Sequence, residues 1–372
     1  MNSEITVIHV IEPFASGVAT AVINIVQQLP SINYIVVHGS RLWIEDIESV
    51  KKKFPPGVVF INWVDAQREV SLRHDFRALK SLVKILAPYK DTGAIVHLHS
   101  SKAGFLGRLA CKMLGIKKVI YTPHGASFVR TDIGFFSRWF YRSLEKLGGK
   151  LGGIIVACGY SEAELYKNMV KQVIVVPNGV FIPPSVEKKF VALQNPEEEA
   201  FVMFTGIASV QKNPELFNKI ASSLSGVRFY WIGDGRLRSK LVSPNITVTG
   251  WKDKDTVNAY LDRCLVYLSA SKWEGLPYGM IEAMAAGCAL LASDVYGNRD
   301  LVIAGENGFV YNDADEAVML LSKMLEKRED TLAMAKKSRE IAESEYSVEK
   351  MGKNYRAIYE TMGGGGIGCG VA

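Results

Sequence analysis

The sequence predicts an α/β protein with two Rossmann-like, doubly wound domains facing a central cleft. Three observations carry this expectation. Apolar, β-rich runs alternate with helical patterns along the whole chain. The runs are continuously apolar rather than alternating, as strands covered on both faces must be. A proline-rich break near the middle divides 372 residues into two stretches, each long enough to bury its own core.

In chain order, the strands expected in the first stretch are 5–11, 34–37, 58–61, 94–98, 118–121, 153–157 and 173–176. Helical spacing fills the gaps at 18–28, 71–87, 102–114 and 161–170. Pro177-Asn-Gly-Val-Phe-Ile-Pro-Pro then opens a polar segment, and 180–198 is expected to be a linker. A second series follows at 201–205, 227–232, 246–249, 265–268 and 289–292. The expected organisation is an N-terminal domain over 1–180 and a C-terminal domain over 181–347. A terminal helix over 348–362 carries Tyr355 and Tyr359 on one side, and a flexible glycine-rich tail occupies 363–372. Sheets of this kind bind ligands beyond the carboxyl ends of their strands.

Composition excludes several classes. With 48% apolar and 22% charged residues the chain is neither disordered nor fibrous. No run of 18 apolar residues occurs, and Met1-Asn-Ser-Glu lacks the basic start of a signal peptide. The five cysteines show neither paired spacing nor a metal-ligand arrangement. A cytoplasmic protein is expected, free or peripheral on the cytoplasmic face of the inner membrane. Residues 1–180 hold 22 basic against 13 acidic side chains and residues 181–372 hold 22 against 25, so the net +6 comes from the first half. An anionic partner is implied there. Within it, Phe135, Phe136, Trp139, Phe140 and Leu147 gather on one side of a helical wheel, while Arg138, Arg142, Glu145 and Lys146 fall largely elsewhere. Two readings stand: a core helix with a solvated face, or an interfacial helix against anionic lipid. No motif or basic-aromatic stripe supports nucleic-acid binding.

The stretch that speaks about chemistry runs from Trp273 to Gly287 (Trp-Glu-Gly-Leu-Pro-Tyr-Gly-Met-Ile-Glu-Ala-Met-Ala-Ala-Gly). It reads as the end of a buried strand, a tight loop and a helix N-terminus. Amides of the loop formed by Gly275, Leu276, Pro277, Tyr278 and Gly279, with the helix dipole behind them, favour a phosphate. Glu274 and Glu282 can accept hydrogen bonds from sugar hydroxyls. Hydroxyls on acids and diphosphate on amides together describe a nucleotide sugar; taken alone, the two acids also suit helix capping and a surface salt bridge.

The full pattern Glu-Gly-x-Pro-x-Gly-x-x-x-Glu-Ala-x-Ala-x-Gly resembles the E-x7-E signature of retaining glycosyltransferases of family 4. The resemblance implies their two-domain GT-B fold: an N-terminal acceptor-side domain, a C-terminal nucleotide-sugar-binding domain, and a terminal helix, here 348–362, that crosses back to the N-terminal domain. Further segments resemble the same family in the same order. Ala15-Ser-Gly-Val places Gly17 where a backbone approaches a diphosphate, although the family often has two glycines there. His97-Leu-His-Ser-Ser-Lys and Tyr121-Thr-Pro-His-Gly resemble stretches of polysaccharide-assembly members, and His124 would lie beside the donor sugar and reacting centre. His97 and His99 face one side of a strand, but the sequence places no third metal ligand near them. Phe204-Thr-Gly-Ile-Ala-Ser-Val-Gln-Lys resembles the loop whose Arg and Lys clamp the donor diphosphate. Lys212 fits the lysine; Ile207 stands in the arginine's place, so donor binding is weakened or another cation such as Arg236 supplies the charge. Thr249-Gly-Trp and 294–307 resemble the segments around the base and beneath the site.

The resemblance implies a retaining hexose or N-acetylhexosamine transferase acting from a nucleotide diphosphate sugar, most simply a UDP-sugar, onto a polyprenyl-linked or polysaccharide acceptor. His124 and Glu274 would be catalytic, with Glu274 on the donor sugar and Glu282 on the ribose. No metal and no other cofactor is expected: Asp253-Lys-Asp255 and Asp313-Ala-Asp315 sit where helices begin and read as caps. Three rivals stay open. A sugar-nucleotide epimerase of the same fold would turn over without acceptor, and a non-catalytic scaffold would bind donor without transfer. A dehydrogenase would need the G-x-G-x-x-G fingerprint that is missing.

Overall fold

The computed structural model describes residues 5–40, 46–67, 70–194 and 201–364. Most of the expected tail, from 365 on, and residues 195–198 of the expected linker lie outside these. The chain divides into two compact units: residues through Val129, Ile133–Gly179 and Val348 onward form the first, and Arg130–Asp132 with Val180–Ser347 the second.

The first unit holds seven strands: β1 (Thr6–Ile11), β2 (Asn33–His38), β3 (Val59–Asn62), β4 (Ile95–His99), β5 (Val119–Thr122), β6 (Ile154–Ala157) and β7 (Val173–Val175). All pair in parallel, in the order β3-β2-β1-β4-β5-β6-β7. Each face of the sheet has its own core. Ile8, Val10, Val96 and Leu98 pack on one side with Leu82 and Ala103 from the helices Leu72–Leu86 and Ser100–Leu114. Val7, Ile11 and Ile95 pack on the other with Val22 and Val26 of the helix Ser16–Gln28 and with Tyr355 and Tyr359. The last two belong to the terminal helix Val348–Gly363, so the chain's last helix packs on the N-terminal sheet, as expected. Gly352 makes the close approach to the helix Ser16–Gln28: a Cβ there would stand 2.6 Å from that of Gln28.

The helix Phe135–Leu151 overturns its core reading. Phe136 and Trp139 are 83% and 62% exposed, and Phe135, Phe140 and Leu147 are exposed as well. The buried face is carried by Glu145 and Gly148 instead. Glu145 accepts from Arg108 Nη2 at 3.0 Å and from the Tyr121 hydroxyl at 2.8 Å, with the guanidinium 4.5 Å from the Tyr121 ring centre. A wheel drawn from hydropathy placed this carboxylate in solvent because it could not see the buried arginine that neutralises it.

The second unit holds β8 (Phe201–Thr205), β9 (Phe229–Ile232), β10 (Ile246–Gly250), β11 (Cys264–Ser269), β12 (Ala289–Ser293) and β13 (Gly308–Tyr311), parallel in the order β10-β9-β8-β11-β12-β13. β13 was not expected; its apolar residues are only Phe309, Val310 and Tyr311, set between glycines and polar residues at 305–308 and the polar Asn312-Asp313. The expected linker also contains a helix, Glu187–Gln194. Its Phe190 and Leu193 are buried, and the Lys189 ammonium donates to the carbonyls of Leu261 and Ala286 at 2.7 and 2.8 Å. Two buried apolar side chains and one buried lysine anchor a helix that proline-rich composition concealed.

Candidate active site

In the second unit, strand order reverses between β8 and β11, and the loops that follow these two strands meet there. This is the switch point at which open α/β sheets bind ligands. Lys272 N–H donates to the Gln211 carbonyl at 2.8 Å, and Gln211 Nε2 donates to the Trp273 carbonyl at 3.0 Å. So tied, the loops bring Lys212 Nζ to 2.5 Å from Glu274 Oε1, while Gln211 Nε2 reaches Glu274 Oε2 at 3.2 Å. Glu274 is 6% exposed and Lys212 half-buried, so the pair is shielded but open on the lysine's side.

The loop 275–279 leads into the helix Tyr278–Ala285, whose N-cap, Pro277, offers no side-chain acceptor and whose first turn carries no acid. With no side-chain cap and no acid there, the positive end of the helix dipole favours an anion. Gly279 lets the helix sit close over β8 and β11: a Cβ would stand 2.5 Å from the Tyr267 hydroxyl and collide with Thr205 Oγ1. Leu276 is buried and holds the loop to the core, while Gly275, Pro277 and Tyr278 are half-buried. Glu282, in the helix, is half-buried and pairs with Lys254 Nζ at 2.5 Å.

Ile207 is half-buried in the loop after β8. Beside it, Ala208 N–H donates to the Asp234 carbonyl at 2.9 Å and Leu237 N–H to the Ala208 carbonyl at 3.0 Å. Arg236 thus rides, exposed, on a turn bonded directly to the loop that lacks its arginine. A Cβ at Gly235 would stand 2.5 Å from the Ala208 carbonyl, so this approach requires glycine. Trp251 follows β10 and is exposed. The two D-x-D segments are caps: Asp253 accepts from Thr256 N–H, and Asp313 from the amides of Asp315 and Glu316.

In the first unit the reversal falls between β1 and β4. Ser16, Ser100 and His124, which lie beyond the carboxyl ends of β1, β4 and β5, have φ of 53°, 69° and 55°. Left-handed backbone in non-glycine residues is strained and clusters at functional edges. Gly17, exposed, is the second residue of the helix Ser16–Gln28, whose N-cap Ala15 gives no side-chain cap and whose first turn holds no acid.

His124 is half-buried, with Nε2 2.9 Å from His99 Nδ1. His99 Nε2 lies in turn 2.9 Å from Nδ1 of His9, in β1. His97 bonds the Tyr359 hydroxyl through Nδ1 at 2.8 Å and Thr122 Oγ1 through Nε2 at 2.9 Å. Burial lowers the pKa of His9 to about 3 and of His124 to about 4. Burial, then the neighbouring histidines, holds His97 and His99 well below the usual value. All four rings are therefore neutral near pH 7.

The sequence reading lacked a third residue beside His97 and His99. His9 is that residue, with ring nitrogens of all three within 4.8 Å of one another. Parallel register sets His9 opposite His97, which a single strand's pattern cannot reveal. Both nitrogens of His97 already serve hydrogen bonds, so the cluster is occupied as a polar network. Glu162 was missed as well: buried, it accepts from the amides of Gly125 and Cys158 at 2.6 and 2.8 Å and fixes the turn behind His124.

Residues 185–341 match the family Glycosyl transferases group 1, and residues 15–182 match Glycosyltransferase Family 4. The chain is 30% identical over 361 residues to the UDP-Gal:alpha-D-GlcNAc-diphosphoundecaprenol alpha-1,3-galactosyltransferase of Escherichia coli, spanning 87% of this chain and 88% of that one. In structure it is similar to sucrose-phosphate synthase from Thermosynechococcus elongatus, with a TM-score of 0.79 at 17% identity over 97% of this chain and all of the other (100%). It is also similar to Anabaena HepE in complex with UDP, with a TM-score of 0.74 at 15% identity over 96% and 100% of the two chains.

Proposed function

The chain belongs to the glycosyltransferase family 4 group of two-domain GT-B glycosyltransferases, and from that premise we propose that it is a retaining, metal-independent transferase of surface-glycan synthesis. It moves a hexose or N-acetylhexosamine from a UDP-sugar to a polyprenyl-linked acceptor. The observation that carries this reading is the Lys212–Glu274 pair at the switch point, beside an uncapped helix N-terminus. The enterobacterial relative named for a diphosphoundecaprenol-linked GlcNAc acceptor supports the acceptor class.

The chemistry follows from what the side chains can do. The bond from the anomeric carbon to the diphosphate oxygen breaks as the acceptor oxygen bonds to the same face of that carbon. The acceptor's proton passes to the leaving phosphate oxygen, and UDP departs. Charge growing on the diphosphate meets Lys212 and the N-terminal end of the helix Tyr278–Ala285. Arg236 supplies the second cation that Ile207 cannot. Glu274 holds donor-sugar hydroxyls, Glu282 the ribose, and His124 the reacting centre.

Among the described residues no helix is long and apolar enough to cross a membrane. A lipid-linked acceptor is instead met at the surface: the exposed Phe135, Phe136, Trp139 and Phe140 with the neighbouring Arg138 and Lys146 suit an anionic lipid face, the cytoplasmic one.

The test is transfer from a panel of UDP-sugars to a polyprenyl-diphosphate-linked N-acetylhexosamine in EDTA, with the product's anomeric configuration read by NMR. An α-linked product supports the reading. A β-linked product removes retention, and donor turnover without acceptor would point to an epimerase.

A further inference from the structure

His124, His99 and His9 form one continuous chain of hydrogen bonds, from the half-buried turn after β5 into the core of the first sheet. A neutral imidazole has one N–H and one lone pair. Two hydrogen bonds among three neutral rings can both exist only if all three rings share one sense. In the outward sense His9 Nδ1–H donates to His99 Nε2, and His99 Nδ1–H donates to His124 Nε2. The outer nitrogen of His124, Nδ1, then carries a proton. In the inward sense every proton moves to the other nitrogen, and His124 shows a bare lone pair instead.

The inner end of the chain decides between them. His9 Nε2 is fully buried and has no partner. The inward sense would leave an N–H there without an acceptor, which folded proteins rarely tolerate; the outward sense leaves only an unused lone pair. Its other ring contacts, Tyr34 stacked at 5.6 Å and His97 tilted at 5.1 Å, are not hydrogen bonds. At the outer end, His124 Nδ1 has no partner among the described residues.

We infer that His9 and His99 are positioning residues that hold His124 as its Nδ1–H tautomer, so that His124 donates a hydrogen bond to a substrate oxygen and does not act as a base. The role of His124 rests on the transfer reaction proposed above; the tautomer order does not. The left-handed backbone at His124 and the Glu162 carboxylate on the next amide fix the ring's approach. His97, its ring centre 4.0 Å from that of His99 and both nitrogens engaged, keeps the middle ring from turning. The substrate group that fits is one with oxygen lone pairs facing the carboxyl edge of β5, a hydroxyl or the oxygen on which charge develops.

The experiment is nitrogen NMR of imidazole-labelled protein at pH 7, comparing wild type, His9→Leu and His9→Asp. In His9→Leu the inner end of the chain becomes the buried His99 Nε2, where an N–H would again lack an acceptor. An aspartate carboxylate there can only accept, and so reverses the sense. His124 is expected as a single Nδ1–H tautomer in wild type and His9→Leu, and protonated at Nε2 in His9→Asp. In the transfer assay His9→Asp should lower kcat on the order of 100-fold with donor KM nearly unchanged. A wild-type His124 protonated at Nε2 overturns the inference by itself, even if the aspartate variant does not fold. So does a His124 still protonated at Nδ1 alone in folded His9→Asp. Absence of transfer in all three proteins with the tautomer order as expected would sink the transferase reading and leave the histidine chain standing.

Discussion

Lys212 Nζ and Glu274 Oε1 stand 2.5 Å apart, joined across the two loops that end β8 and β11. The two residues were assigned to different parts of the donor, yet in the structure each holds the other. A buried carboxylate fixes the lysine's direction, and the lysine keeps its charge on the open side. Their energies should therefore not add. Lys212→Met and Glu274→Gln are each expected to lower kcat on the order of 100-fold, and the double variant should lose far less than the product of the two. Strict additivity in a double-mutant cycle would show that the residues act separately.

Glu282 is one link further from the chemistry. It sits in the helix that follows the 275–279 loop and shares its carboxylate with Lys254, which is itself more than half exposed. Glu282→Gln removes a charge-assisted acceptor, and UDP should bind roughly tenfold more weakly. kcat at saturating donor should barely change. Equal UDP affinity of wild type and variant by calorimetry would remove the ribose role.

The exposed aromatic face of the helix Phe135–Leu151 gives a prediction independent of catalysis. Phe136→Ser and Trp139→Ser should each weaken binding to vesicles of anionic phospholipid on the order of tenfold. Binding should also fall with salt, as basic side chains near a charged surface require. Neither change touches the core, so thermal stability should hold. Vesicle binding that ignores both substitutions would place any membrane contact elsewhere.

The buried histidines set a pH dependence. Burial lowers the folded pKa of His9 to about 3, below the unfolded value of about 6.5. Between these limits the unfolded chain binds the extra proton, so the contribution is complete above pH 6.5 and lost as pH falls toward 3. Glu145 and Glu162, raised by burial, oppose the trend. The clean comparison is therefore with His9→Phe. Wild type should lose up to about 1.4 kcal/mol more per pH unit than this variant between pH 6 and 4. Parallel urea-unfolding curves across that range would contradict it.

Sheet architecture was legible because twelve of its strands are long enough, or apolar enough, to stand out from their neighbours. β13 was not: in Gly308-Phe-Val-Tyr only three apolar residues stand between glycines and polar side chains. The E-x7-E segment and Lys212 were legible as local patterns, each readable without knowing what lies opposite. The other missed features depend on something opposite. Glu145 looked solvated until Arg108 met it from another helix. His9 looked like one polar residue in an apolar strand until parallel register set it beside His97. The helix Glu187–Gln194 hid in proline-rich surroundings, since its anchor is Lys189 on carbonyls far away in sequence. Local pattern reports what an element is; partners across the fold decide which side chains it buries.

The central claim is that peptide amides and Lys212, without a metal, receive the diphosphate. The measurement that addresses it most directly is calorimetric titration of UDP into wild type and Lys212→Met in the presence of EDTA. UDP should bind wild type fully under these conditions and bind the variant at least tenfold more weakly. Binding that requires added Mg²⁺ or Mn²⁺, or that is indifferent to loss of the Lys212 ammonium, would contradict the account.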